Sequence, residues 1–195
     1  MTRRLAALAL LTLAAGCATV APPAPVRDRA AQEAELRSLA AWSLDGRIAV
    51  AAGDDGFSGG FDWVQAGERA DISIQGPMGG AALAIRVEGG KLTLNARGET
   101  YADDEARAII GDRIGNGTML PVGEMRYWLI GVPAPGLQHE EARDADLRLA
   151  ELGQSGWRVR YERYGTVGAY ELPTRVEMTT EGLRLRIVVS DWRMP

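Results

Sequence analysis

One cysteine, Cys17, and one histidine, His139, are the only side chains of their kind in this chain of 195 residues. They bound its covalent and metal chemistry. A lone cysteine has no disulfide partner and no thiolate cluster. With a single histidine beside it, a common zinc site is not expected. His139 precedes Glu140 and Glu141 in the stretch PAPGLQHEEAR (133–143), which reads as a loop carrying a solvated histidine. Asp103-Asp104-Glu105 could gather a cation, but they open a helical pattern. There Asp103 can cap and acids suit the helix dipole. The glycine pairs lack the Gly-Lys-Ser or Gly-Lys-Thr ending of a phosphate loop. Catalysis needs a nucleophile, a base or a metal, and nothing here assembles one. The expectation is a binding protein, not an enzyme, without cofactor or metal.

Cys17 has chemistry of another kind. Met1 to Cys17 reads MTRRLAALALLTLAAGC, with Arg3 and Arg4 ahead of a short apolar run from Leu5 to Ala15. That run is about half the roughly 20 residues a membrane-spanning helix needs. It reads as a secretory signal, residues 1–16. The cysteine directly after small residues resembles a bacterial lipoprotein signal, in which that thiol is acylated and begins the mature chain. The usual leucine three places before the cysteine is Ala14 here, with Leu13 one step earlier. Ala18 is not the aspartate that marks inner-membrane retention, so the resemblance implies the outer membrane. Removing Arg3 and Arg4 deepens a net charge of −4 by two. Nucleic acid, whose binders are usually basic, is therefore not an expected partner.

The third unusual stretch is Gln75-Gly-Pro-Met-Gly-Gly80, a turn with one large apolar residue, Met78. Turn tips normally face water. Spacing alone leaves two readings: Met78 folds back onto its sheet, or it is a device exposed for a purpose.

The elements around these residues follow from period. Residues 18–26 (ATVAPPAPV) read as an extended tether, and 27–195 as one domain. Arg27 to Ala41 reads as a helix, with Leu36, Leu39 and Ala40 on one face. Phe61 and Trp63, Ile72 and Ile74, and Leu83 and Ile85 alternate with polar neighbours, so 61–85 reads as strand, turn, strand, loop, strand. Strands are also expected at 42–52, 91–96, 146–152 (with Leu147 and Leu149 inward), 157–162, about Val176 and Met178, and 183–192. Two helices are expected near the middle. One is opened by Tyr101-Ala-Asp-Asp104 and stopped by Asn116-Gly117. The other starts at Pro121 and carries Val122, Met125, Trp128 and Leu129. The fold class is mainly β (α+β): a curved antiparallel sheet, apolar on one face and covered by helices. Period leaves open whether the enclosed space is a filled core or a ligand cavity.

Several segments, in their order and spacing, carry a resemblance to a family. They are Leu44-Asp-Gly-Arg-Ile48, Phe61-Asp-Trp-Val-Gln65, Gly76-Pro-Met-Gly79 and Tyr101-Ala-Asp-Asp104. Further on come Tyr127-Trp-Leu-Ile-Gly-Val-Pro133, Gly156-Trp-Arg-Val-Arg-Tyr161 and Asp191-Trp192. The chain resembles the LolB family of outer-membrane lipoprotein receptors over nearly all of the mature domain. The resemblance implies an incomplete antiparallel β-barrel with a helical lid over an apolar cavity. It implies acceptance of lipoproteins from the periplasmic carrier LolA and their insertion into the outer membrane. It implies a lipidated Cys17 and a protruding loop, Gly76, Pro77, Met78 and Gly79, that meets the bilayer. Methionine there replaces the family's usual leucine. The acyl chains of the cargo would lie against Trp63, Ile72, Ile74, Leu83, Ile85 and Trp128. No energy source is implied, and a monomer facing the periplasm is expected. The alternatives are a membrane-anchored interaction protein with a filled core and a lipid hydrolase; the lack of a histidine-based site argues against the second.

Overall fold

Alternating apolar and polar residues build most of this chain into strands that bury one face. The computed structural model describes residues 29–76, 83–115, 117–118 and 120–195. Cys17, the tether and Pro77, Met78 and Gly79 lie outside the described residues. Helix α1 (Arg29–Ser38) leads into β1 (Ala41–Ala52), β2 (Asp55–Ala66), β3 (Arg69–Gln75), β4 (Leu83–Glu88), β5 (Lys91–Ala96) and β6 (Glu99–Ala102). Then come α2 (Asp103–Ile110), a π-helical turn (Gly111–Gly115) and α3 (Val122–Leu129). The chain ends with β7 (His139–Arg143), β8 (Leu149–Gln154), β9 (Trp157–Val167), β10 (Tyr170–Thr180) and β11 (Leu183–Arg193).

The eleven strands among the described residues form one antiparallel sheet in the order β6-β5-β4-β3-β2-β1-β11-β10-β9-β8-β7. The outermost sequence strands, β1 and β11, pair at its centre, with Leu44 opposite Trp192 and Ile48 opposite Ile187. The sheet is not closed: its free edges are β6 and β7. Those two strands flank the helical segment, so the helices are inserted where the barrel is open.

A meander turns at alternating ends. The β1–β2, β3–β4, β5–β6, β8–β9 and β10–β11 connections share one end with the entry into β7. We call this the loop end, since it carries residues 76–82. The β2–β3, β4–β5, β7–β8 and β9–β10 turns and the junction of α1 with β1 lie at the opposite end.

Four expectations are corrected. The 133–143 loop contains β7, every residue of which is exposed; an edge strand with no buried face has no apolar alternation to betray it. A short strand, β6, precedes α2, which starts after Ala102. Asp103 does not cap α2; its carboxylate accepts the Leu92 backbone N–H at 3.1 Å and so ties the helix start to β5. Leu147 does not point inward. It is 58% exposed, at φ +62°, in the turn before β8. There Asp144 accepts the backbone N–H groups of Asp146 and Arg148.

Candidate functional site

The concave face of the β2–β5 half is built by register. One row across the sheet runs Trp192, Leu44, Trp63, Ile72, Ile85, Leu94. The next inward row, two residues along, runs Gly46, Phe61, Ile74, Leu83, Ala96. The residues between them, such as Asp45, Asp62, Ser73, Ala84 and Asn95, face outward. Five of the six expected wall residues thus fall in two adjacent rows, and all five are buried. Trp128 comes from α3 and packs against the other half of the sheet, with its ring 6.4 Å from that of Trp157 on β9. All six belong to one continuous apolar cluster.

The two tryptophans are held by buried glutamines. Trp63 donates its indole N–H to Gln65 Oε1 at 2.9 Å, and Gln65 Nε2 donates to the Gly67 carbonyl at 2.8 Å. The Trp63 ring stacks on Trp42 at 5.9 Å and meets Phe61 edge-on at 6.3 Å. Trp128 donates to Gln154 Oε1 at 2.8 Å. That oxygen also accepts the Ala134 N–H at 2.9 Å, while Gln154 Nε2 donates to the Ala134 carbonyl at 3.0 Å. Tyr161 donates its hydroxyl to the Trp128 carbonyl at 3.0 Å. Burial pushes the Tyr161 hydroxyl well above its ordinary pKa, so it remains a donor. Both indoles are 0% exposed, so water-sized space touches neither ring. Gln65 and Gln154 were invisible as site residues in the sequence. A glutamine inside Gly-Gln-Ser-Gly reads as turn, and its burial is decided by what α3 brings over it.

The root of the 76–82 loop is also constrained. Gly76 is half-buried. A Cβ on Gly59 of β2 would lie 1.8 Å from the Gln75 carbonyl oxygen. The glycine lets β2 run past the last residue of β3, and so fixes where the loop departs.

α1 crosses the opposite end, held mainly by charge. Glu33 is 7% exposed and pairs with Arg143 at 2.6 Å and Arg37 at 3.3 Å. Arg29 pairs with Glu171 at 3.4 Å, and Tyr170 donates to Glu35 at 2.8 Å. Leu36 is the one apolar side chain that α1 itself buries. His139 is exposed on β7, with Glu141 3.7 Å away. No helix among the described residues is long and apolar enough to cross a membrane.

This architecture has known counterparts. A LolA-superfamily protein from Nitrosomonas europaea shares the fold with TM-score 0.54 at 13% identity, covering 81% of this chain and 87% of that one. A putative outer-membrane lipoprotein-sorting domain from Vibrio parahaemolyticus gives TM-score 0.52 at 8% identity, covering 85% and 90%. At the sequence level, the outer-membrane lipoprotein LolB of Pseudomonas aeruginosa is 33% identical over 160 residues, 82% of this chain and 77% of its own. The LolB of Nitrosococcus oceani is 33% identical over 190 residues, 94% of each chain. The family model described as outer membrane lipoprotein LolB matches residues 40–192. This chain, with its open eleven-stranded sheet around a tryptophan-rich apolar face, belongs to the LolB family.

Proposed function

We propose that this protein is an outer-membrane lipoprotein receptor. It accepts acylated lipoproteins from a LolA-type periplasmic carrier and inserts them into the outer membrane without an energy source of its own. The observation that carries the reading is the pair of apolar rows covering the concave face of an open sheet, in a chain of this family. Each acyl CH₂ removed from water is worth about 0.8 kcal/mol. The acyl chains of a lipoprotein therefore need an apolar shell throughout their passage between carrier and bilayer. Trp63, Ile72, Ile74, Leu83 and Ile85 supply one wall of it, and Trp128 belongs to the helical cover. Both tryptophans are fully buried, so in this reading acyl chains reach them by displacing contacts between helices and sheet. The transfer runs downhill, from carrier to receptor to membrane.

In this reading Cys17 is acylated and residues 17–26 tether the body to the outer membrane on its periplasmic side. Gly76, Pro77, Met78 and Gly79 form the tip that enters the lipid. A monomer suffices. The decisive experiment is transfer of a radiolabelled lipoprotein from a purified LolA-type carrier to this protein in the absence of ATP. Movement of the label supports the receptor. Retention on the carrier by a folded receptor leaves the membrane-anchored interaction protein with a filled core.

A further inference from the structure

Three large apolar side chains are well exposed among the described residues: Val64 at 47%, Leu137 at 45% and Leu147 at 58%. Exposed apolar residues scattered singly need no special cause, so their surroundings decide. Val64 lies on the outer face opposite Asp71, with Asp62 two residues before it. Leu147 sits between Asp146 and Arg148, which pair with each other at 2.8 Å, and lies at the end opposite residues 76–82. Leu137 differs in both respects. No charged residue occurs between Tyr127 and Gln138, nor in the Gly153–Trp157 turn beside it. It also leaves the sheet at the loop end, just before β7.

The leucine is held out rather than merely left out. Both backbone polar groups of Ala134 are bound by the buried Gln154 side chain. Pro133 and Pro135 stiffen the segment, and Gly136 turns it at φ +75°. Leu137 then edges an open groove of about 700 Å³ shared with Gly153–Trp157; His139 and Glu140 are its titratable lining residues.

We propose that Leu137, with the uncharged rim formed by 134–138 and 153–157, is a second point of contact with the lipid surface. It lies at the same end of the sheet as the β3–β4 connection, on the other half of the strand order. The inference rests on the receptor reading above, in which those residues meet the bilayer. A lipid surface is the occupant that fits. Entering the headgroup boundary penalises every charge that loses water, and this rim has few to lose. An acidic or basic protein partner would be met by opposite charges, which the rim does not offer.

The test uses the full lipidated chain in vesicles of phosphatidylethanolamine and phosphatidylglycerol. Leu137→Cys, Met78→Cys and Leu147→Cys are each labelled with an environment-sensitive fluorophore. Acylation occupies the Cys17 sulfur, so the introduced cysteine is the free thiol, and the unsubstituted chain is the labelling control. Lipids bearing a shallow nitroxide should quench the label at 137 and at 78, and leave that at 147 in water. Water exposure at 137 equal to that at 147, with 78 quenched, overturns this inference alone. Labels at both 78 and 137 remaining in water sink the docking reading and this inference with it. A shift at 137 on adding the carrier, but not on meeting vesicles, assigns the tip to a protein partner and also overturns the proposal. As a companion, Leu137→Glu should slow delivery to vesicles about tenfold, from the loss of one buried leucine, and Leu147→Glu should leave it unchanged.

Discussion

Met78 carries the sharpest prediction at the scale of single residues. It lies between Pro77 and Gly79 in the sequence, and the proposed receptor makes it the apolar tip that enters the lipid. Met78→Glu should leave the urea unfolding midpoint unchanged and abolish delivery to vesicles, while cargo acceptance from the carrier persists; normal insertion by the variant would refute the role. Gln154 makes the opposite case, a residue that matters to the fold under the site. Gln154→Leu removes partners from the Trp128 indole N–H and from both backbone groups of Ala134. A buried polar group left unpaired costs about 1–3 kcal/mol, so urea unfolding should show a loss of about 3 kcal/mol. A loss well under 1 kcal/mol would mean that these groups find water instead. On the outer face, Asp62 stands directly opposite Asp45 across β1–β2. Partial burial, and the neighbouring Asp45 carboxyl, raise its pKa above the ordinary carboxylate value, against a smaller pull from Arg193. The folded state then binds a proton more tightly than the unfolded chain does. Stability therefore falls as pH rises from the ordinary value through the raised one. Asp62→Asn should remove that slope and stabilise the protein at pH 7 by roughly 0.5 kcal/mol. The gain should shrink as pH falls and the Asp62 carboxyl takes up its proton.

The elements were legible wherever one face is buried and the other wet. Phe61, Trp63, Ile72, Ile74, Leu83 and Ile85 announced β2, β3 and β4, and Val122, Met125, Trp128 and Leu129 announced α3, because burial imposes period on sequence. β7 was illegible for the same reason, since it buries nothing. Leu147 misled, because an apolar residue beside an expected strand was assigned to its buried face. The turn is set instead by Asp144, whose carboxylate also pairs with Arg148 at 2.8 Å. Gly59 shows how an element boundary can rest on one missing methyl. Its neighbour Gly60 meets only the Gln75 side chain, whereas a Cβ at Gly59 would overlap the Gln75 carbonyl. Gly59→Ala should thus part the ends of β2 and β3 and cost about 2 kcal/mol or more. Hydrogen exchange should quicken at residues 59–61 and 74–76, while β9–β11 stay protected. Gly60→Ala is the control, with a small loss and unchanged exchange. Equal effects at the two positions would mean that the close approach is relieved by a slight shift and does not fix the loop root.

At the scale of the whole molecule, the proposed membrane-contacting end and the anchored N-terminal helix lie at opposite ends of the sheet. Residues 76–82 belong to the loop end, while Arg29 bonds the Asp146 carbonyl and Glu171 at the other. β1 has 12 residues, so the sheet is about 40 Å long at roughly 3.3 Å per residue. From Cys17 to Arg29 the chain can reach at most about 40 Å when fully extended. An anchored body standing upright on its loop end must therefore draw the tether nearly straight along its side, or lean. Either way the tether has little length to spare. Deleting residues 21–26 about halves its reach, and we predict that this slows delivery to the bilayer at least tenfold without changing acceptance from the carrier. Replacing the same six residues by Gly and Ser should restore delivery, because only reach is at issue. Cys17→Ala separates anchor from body: it should release the protein from the membrane and leave cargo acceptance intact, since the apolar rows lie within the sheet, on β1–β5 and β11. If the shortened tether delivers at the full rate, the body works lying on its side. The loop end would then not be the face presented to lipid, and both Met78 and Leu137 would have to be explained by contact with protein.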